Sequence, residues 1–332
     1  MLRIVIGVII ASVLGIGGFL AWVTVTAQPG NNNMIFGASF DPYQAEFLGV
    51  DPKAAFAALL DDWGFHYVRL SAHWDDMEPR PGSFDFSGLD YFMKQAAERG
   101  ARVTLAVGQK TPRWPECHVP AWAKELQGED YAQARLAYIR AVVAHVAHDS
   151  ALELWQVENE PFLALGWGDC PLLTLPQLQA EVALVKQADP AHRTLITDSG
   201  ELSFWGKTGR AGDLFGTTLY RKVWNRWLGY WNYDWLPVGF YQWKARRIGR
   251  APPTMFVAEL QAEPWPPGTL LPQTPLPEQY RSMSLERFKS NVAYAQSTGF
   301  ARSYLWGAEW WAWLQKQGVQ DFAAYAKSLK KE

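Results

Sequence analysis

From Asn33 onward the chain repeats one unit: a short β-rich run, a turn, then a helical stretch. Runs at 34–39, 67–71, 102–107, 152–157, 194–197, 214–219, 254–258 and 303–305 read as eight strands. Helices are expected at 52–63, 89–99, 131–148, 175–187, 278–296 and 314–327. Strands that alternate with helices must pair in parallel, and eight such units favour a closed (β/α)8 TIM barrel over an open sheet. The fifth unit is thin, with only a short Gly-interrupted stretch at 201–211 to serve as its helix. The segment between strands six and seven is long and carries Trp224, Trp227, Trp231 and Trp235.

The segment before the barrel differs in kind. No charge occurs from Ile4 to Ala27, and Arg3 stands just ahead. A run of that length can cross a ~30 Å hydrocarbon core, with the positive end kept inside. Residues 1–27 are therefore expected to be a transmembrane signal anchor. A signal peptide cleaved after Val25-Thr26-Ala27 is the alternative. Residues 28–33 read as a polar linker and 34–332 as the catalytic domain, which either reading places outside the cytoplasm. In an exported domain the two cysteines can pair. Cys117 follows strand three and Cys170 follows strand four, so adjacent strands bring their loops side by side. A disulfide is expected, with two free thiols as the alternative.

Net charge is −2, too little positive charge to hold a phosphate backbone, so nucleic acid is not an expected partner. The six histidines are scattered and form no cluster at strand ends, which argues against a metal-dependent barrel hydrolase. The 18 tryptophans suit a protein that stacks rings on sugars, or one with a Trp-rich core.

Active groups of such barrels lie just past the C-terminal ends of the strands. Past strand four comes Glu158-Asn159-Glu160-Pro161, and past strand seven Glu259-Leu260-Gln261-Ala262-Glu263. Two carboxylates facing one cavity are what glycosidic cleavage needs: one protonated for the leaving oxygen, one ionised to attack the anomeric carbon. Glu158 competes with Glu160 for the first role, and Glu263 with Glu259 for the second. His73 and Trp74, past strand two, are expected to line the sugar site. Gln109, Asp198 and Glu201 are weaker candidates of the same kind.

Together these motifs resemble the clan A glycoside hydrolases, the retaining superfamily whose carboxylates lie on strands four and seven. Asn159-Glu160-Pro161 is similar to its strand-four signature, and the stretch from Trp74 to Phe86 to its cellulase-like and β-galactosidase-like members. The resemblance spans Gly37 to Trp313. It implies Glu160 as acid/base, Glu259 as nucleophile and Asn159 on the substrate 2-hydroxyl. It further implies Arg69 and Tyr220 beside the nucleophile and Trp306 under the cleaved sugar, with no metal or organic cofactor. Many members carry a His two residues before the strand-six Tyr. Thr218 stands there instead, which leaves the sugar open. A retaining glycosidase cleaving β-bonds of an oligo- or polysaccharide is the expectation. A transglycosylase, or a membrane-anchored carbohydrate-binding protein on an inactive barrel, is the alternative.

Overall fold

The computed structural model describes residues 2–164, 170–268 and 270–329, with side chains omitted for 2–4 and 6–10. Met1, 165–169, 269 and 330–332 lie outside the described residues, as do the outer ends of the 1–27 and 34–332 segments. Eight parallel strands close a barrel: β1 (Ile35–Ser39), β2 (Tyr67–Ser71), β3 (Arg102–Val107), β4 (Leu152–Val157), β5 (Arg193–Asp198), β6 (Leu214–Leu219), β7 (Met255–Gln261) and β8 (Arg302–Trp306). Each pairs with its neighbours in order, and β1 closes on β8 through Ile35 opposite Arg302. The expected architecture is thus the observed one.

The barrel is filled, as its side-chain layers require. Near its N-terminal end Leu154, Leu195, Leu214, Phe256 and Tyr304 form a closed apolar layer. The Tyr304 ring lies against Gly37, where an added Cβ would come within 2.9 Å of it. Thr104 shares a hydrogen bond with the Tyr304 hydroxyl, and the Arg302 guanidinium donates to it. This plug is the floor on which the polar layer of the site stands.

Strand β7 is longer than the sequence suggests. The expected strand stopped at Ala258 and put Glu259 past its end; Glu259 instead lies within β7. The register against β6 slips there, with Thr217 opposite Val257 and Thr218 opposite Glu259, and against β8 it slips between Ser303 and Leu305. Such a bulge re-aims a side chain, here Glu259.

Several helices break where one was expected. The first continues from Pro52–Ala57 into a π turn at Ala58–Asp62. The 278–296 stretch splits into Leu276–Gln279 and Leu285–Ser297, because Ser284 caps the second through the Arg287 amide. The 314–327 stretch splits into Ala308–Lys316 and Asp321–Ser328 around Gly318, whose φ of 84° ends the first. No helix forms at 201–211. The Trp-rich insertion after β6 is an antiparallel hairpin, Lys222–Asn225 with Gly229–Asn232.

The N-terminal helix, Leu2–Val25, leans on the barrel. Phe19 packs edge-on against Trp243 at 4.9 Å between ring centroids, and Val23 is fully buried. At Gly239 an added Cβ would lie 1.7 Å from the Val23 carbonyl oxygen, so only glycine allows this approach. Among the described residues no helix is long and apolar enough to cross a membrane. The expectation of a membrane-crossing segment thus finds no support among the described residues, and the C-terminal end of the helix packs on the barrel.

Candidate active site

The site lies at the C-terminal mouth of the barrel, and Arg69 on β2 organises it. Its guanidinium is fully buried and forks to three side chains, two from the β4 end and one from β7. Nε donates to Gln156 at 2.7 Å, Nη1 to Glu259 at 2.9 Å and Nη2 to the Asn159 side-chain oxygen at 2.9 Å. Only arginine offers donors in such a fixed planar fork. The Tyr220 hydroxyl donates to the other Glu259 oxygen at 2.7 Å. Both oxygens of Glu259 are thus held by strong donors, one of them a cation.

Glu160 is placed differently. Its backbone sits in the left-handed region at φ 43°, and Glu158 does the same at φ 62°. These turns let the chain double back at the strand's end and aim Glu160 into the mouth. Its carboxyl accepts a hydrogen bond from the Thr218 hydroxyl at 3.1 Å. Burial first, then the nearby charges of Glu259 and Glu116, hold it well above the usual carboxylate range, against the pull of Lys110. Two carboxyls share one mouth with unlike partners: a guanidinium and a phenol on Glu259, a single hydroxyl on Glu160.

The supporting residues explain the precision. Thr197 on β5 donates from its hydroxyl to Asn159 at 3.1 Å and accepts from the Glu160 amide at 3.2 Å. Asn159 keeps one buried side-chain nitrogen with no partner, a donor available to a ligand. Lys110 donates to the Glu160 carbonyl oxygen at 3.2 Å. Gln156, Thr197, Lys110 and Thr218 escaped the sequence reading, although the last was noted as a departure from the family. Alternation along β4, β5 and β6 was the available signal for Gln156, Thr197 and Thr218, whereas Lys110 lies on the loop after β3.

The rival carboxylates are engaged elsewhere. Glu158 accepts from the Gln109 and Lys110 amides, both at 2.8 Å, and lies beside the buried Arg135–Glu181 pair. It fits because Gly108 leaves room: a Cβ there would meet the Glu158 carboxyl at 2.4 Å. Glu263 pairs with Arg113 at 2.5 Å, and the same guanidinium binds Glu309 and covers the Trp306 ring at 4.1 Å from its centre.

Some expected sugar-binding residues are not available to a sugar. Trp74 is fully buried, stacked on Tyr138 at 5.4 Å, with its indole nitrogen donating to Glu78. It belongs to the core. His73 uses both ring nitrogens internally, toward Asp41 at 2.7 Å and Thr111 at 2.6 Å, and stacks on His118. Gln109 holds Tyr131 and the Pro171 carbonyl, and Asp198 is saturated by Ser199, Ser203 and Thr208. Glu201 accepts from the Tyr241 hydroxyl. Arg69, Asn159, Glu160, Tyr220, Glu259 and Trp306 do gather at the mouth. Cys117 and Cys170 form the expected disulfide, with Cα atoms 5.5 Å apart. Among the described residues no group of three or more His, Cys, Asp or Glu is arranged to hold a metal ion.

A family model described as beta-galactosidase matches residues 55–165. Solved structures share the fold. A β-galactosidase from the Antarctic haloarchaeon Halorubrum lacusprofundi is 17% identical over 82% of this chain and 52% of its own, with a TM-score of 0.58. Endo-glycoceramidase II from Rhodococcus sp., as a lactosyl-enzyme intermediate, is 16% identical over 84% and 75%, with a TM-score of 0.54. An exo-β-1,4-mannosidase from Opitutaceae bacterium strain TAV5 is 18% identical over 82% and 51%, with a TM-score of 0.56. At such identities the likeness is one of fold, and the chain spans about half the length of the first of them. No curated protein matches in sequence. The chain is thus similar in fold to barrel glycoside hydrolases, and its residues 55–165 are similar to the beta-galactosidase family model.

Proposed function

We propose that the protein hydrolyses β-glycosidic bonds of an oligo- or polysaccharide with retention, Glu259 acting as nucleophile and Glu160 as acid/base. One observation carries the assignment. Glu259 is gripped by Arg69 and Tyr220, both of which stabilise its charge. Glu160, in the same mouth, has a hydroxyl partner and a raised affinity for its proton.

In the first step a Glu259 oxygen bonds to the anomeric carbon as the glycosidic C–O bond breaks. The Glu160 proton passes to the leaving oxygen. The covalent glycosyl-enzyme cancels the charge on Glu259, so Glu160 loses the neighbour that held its proton and becomes a base. It then takes a proton from water, whose oxygen displaces Glu259 and releases the sugar in its original configuration. The unpartnered Asn159 nitrogen is placed to donate to the sugar 2-hydroxyl, and Trp306 to wall the site. The disulfide suits a domain outside the cytoplasm, where we place it.

The test is a panel of aryl β-galactosides, β-glucosides and β-mannosides, soluble β-glycans and lactosylceramide. Wild type is compared with Glu259→Ala and Glu160→Ala. Recovery of Glu259→Ala by azide, giving a glycosyl azide of inverted configuration, is expected. A folded wild type inert across the panel refutes the proposal and turns attention to sugar binding.

A further inference from the structure

The mechanism leaves one carboxylate of the mouth without a task. Glu116 lies on the loop after β3, close enough to Glu259 and Arg69 to feel both charges. The loop is built around it. Lys110 and Cys117 pair across its base, and the Thr111 amide donates to the Glu116 carbonyl at 3.0 Å. The Cys117–Cys170 disulfide ties it to the β4 loop. Within this short turn two non-glycine residues are left-handed, Arg113 at φ 89° and Glu116 at φ 63°. Each costs about 1 kcal/mol or more, and such strain tends to collect where a side chain is needed in one place.

The simplest reading of Glu116 is a counter-ion for Lys110, and that ion pair leaves its acceptor capacity unfilled. The Lys110 nitrogen pairs with Glu116 Oε2 at 3.5 Å, longer than its 3.2 Å hydrogen bond to the Glu160 carbonyl. Beyond that ion pair, the buried Glu116 Oε2 has no well-formed hydrogen bond. Burial, together with the Glu259 charge and against the pull of Lys110, pushes the carboxyl up to about 7. Asn159, tied to the same Arg69, carries the matching unfilled donor. A buried donor and a buried acceptor, both open beside the two reacting carboxyls, describe a site awaiting polar groups.

We infer that Glu116 is a specificity-determining residue, its Oε2 accepting a hydrogen bond from one hydroxyl of the sugar whose anomeric carbon faces Glu259. A hydroxyl opposite a buried acceptor is read strongly, because the analogue lacking it strands that acceptor out of water. The hydroxyl in question is one other than the 2-hydroxyl, which falls to Asn159. The inference rests on the glycosidase reading and refines it.

The experiment takes the 4-nitrophenyl β-glycoside that the wild type cleaves best, with its 3-, 4- and 6-deoxy analogues where those hydroxyls exist. Wild type is expected to lose about 100-fold in kcat/KM on one analogue. In Glu116→Gln that penalty shrinks to within about threefold, while the penalties on the other analogues stand. A purely structural role would lower all substrates alike. Glu116→Asn, which suits a left-handed backbone, serves if the glutamine variant does not fold. An active wild type whose pattern of penalties survives in the variants overturns the inference alone. A wild type that cleaves no glycoside overturns the glycosidase reading and the inference with it.

Discussion

The disulfide offers a prediction whose size follows from the chain itself. Cys117 and Cys170 are 53 positions apart. Joining them closes a loop of about 54 residues in the unfolded chain. The chain-entropy relation gives about 14 cal/mol/K, or about 4 kcal/mol at 25 °C. Unfolding of roughly 300 residues carries about 0.6 kcal/mol/K of entropy. Replacing both cysteines by serine should therefore lower Tm by about 6–7 °C in differential scanning calorimetry. Thiol titration of denatured wild type, finding no free thiol, confirms the starting state. A Tm loss below about 2 °C from a fully bonded wild type would refute the entropic account. The double variant should also lose activity at temperatures well below its own Tm, since the bond ties together the loops bearing Glu116 and Pro171.

Three further outcomes are expected. Tyr220→Phe removes a 2.7 Å hydrogen bond to a carboxylate, worth about 1.5–3 kcal/mol, so kcat/KM should fall by about 10- to 100-fold; a change under threefold counts against its role at the nucleophile. Glu160 must hold a proton to act, and its carboxyl is raised, so kcat/KM should fall as pH climbs through the raised value. Glu116→Gln removes one of the charges that raise it and should move that alkaline limb to lower pH; an unmoved limb speaks against the coupling. Gly108→Ala puts a Cβ 2.4 Å from the Glu158 carboxyl at φ 135°, and should lower Tm by several degrees while loosening Lys110; a wild-type melt would show that the Glu158 seat yields.

The barrel was legible because each strand is a short buried run fenced by turn residues, and eight of them in alternation leave few closed topologies. The mouth was legible at Arg69, Asn159, Glu160, Tyr220 and Glu259, which lie on barrel strands or just past their ends. Trp74 misled because sequence position past a strand does not say which way a ring turns: its indole faces Tyr138 in the core. His73 misled for the related reason that Asp41, 32 residues away, claims its nitrogen. Helix ends at Ser284 and Gly318 were readable in principle as a cap and a stop, but the apolar periodicity ran through both. The bulge that places Glu259 inside β7 leaves no mark in residue types at all, since it is a slip in pairing with β6 and β8. Glu116 was hidden too, because a left-handed glutamate in a loop is indistinguishable in sequence from a solvated charge.

The division of labour between the two carboxyls follows from how each reached the mouth. Glu259 arrives on a strand, so its neighbours on β2 and at the end of β6 are fixed partners, and they are a guanidinium and a phenol. Glu160 arrives on a left-handed turn beyond its strand, where β6 offers it only the Thr218 hydroxyl. Exchanging the two side chains' surroundings would exchange their chemistry, since nothing in glutamate itself distinguishes acid from nucleophile. A second guanidinium, Arg113, stands nearby but is spent on Glu263, Glu309 and the face of Trp306, so it does not blur that difference. The asymmetry of donors, set by barrel topology, is therefore the physical argument for which carboxyl keeps the proton.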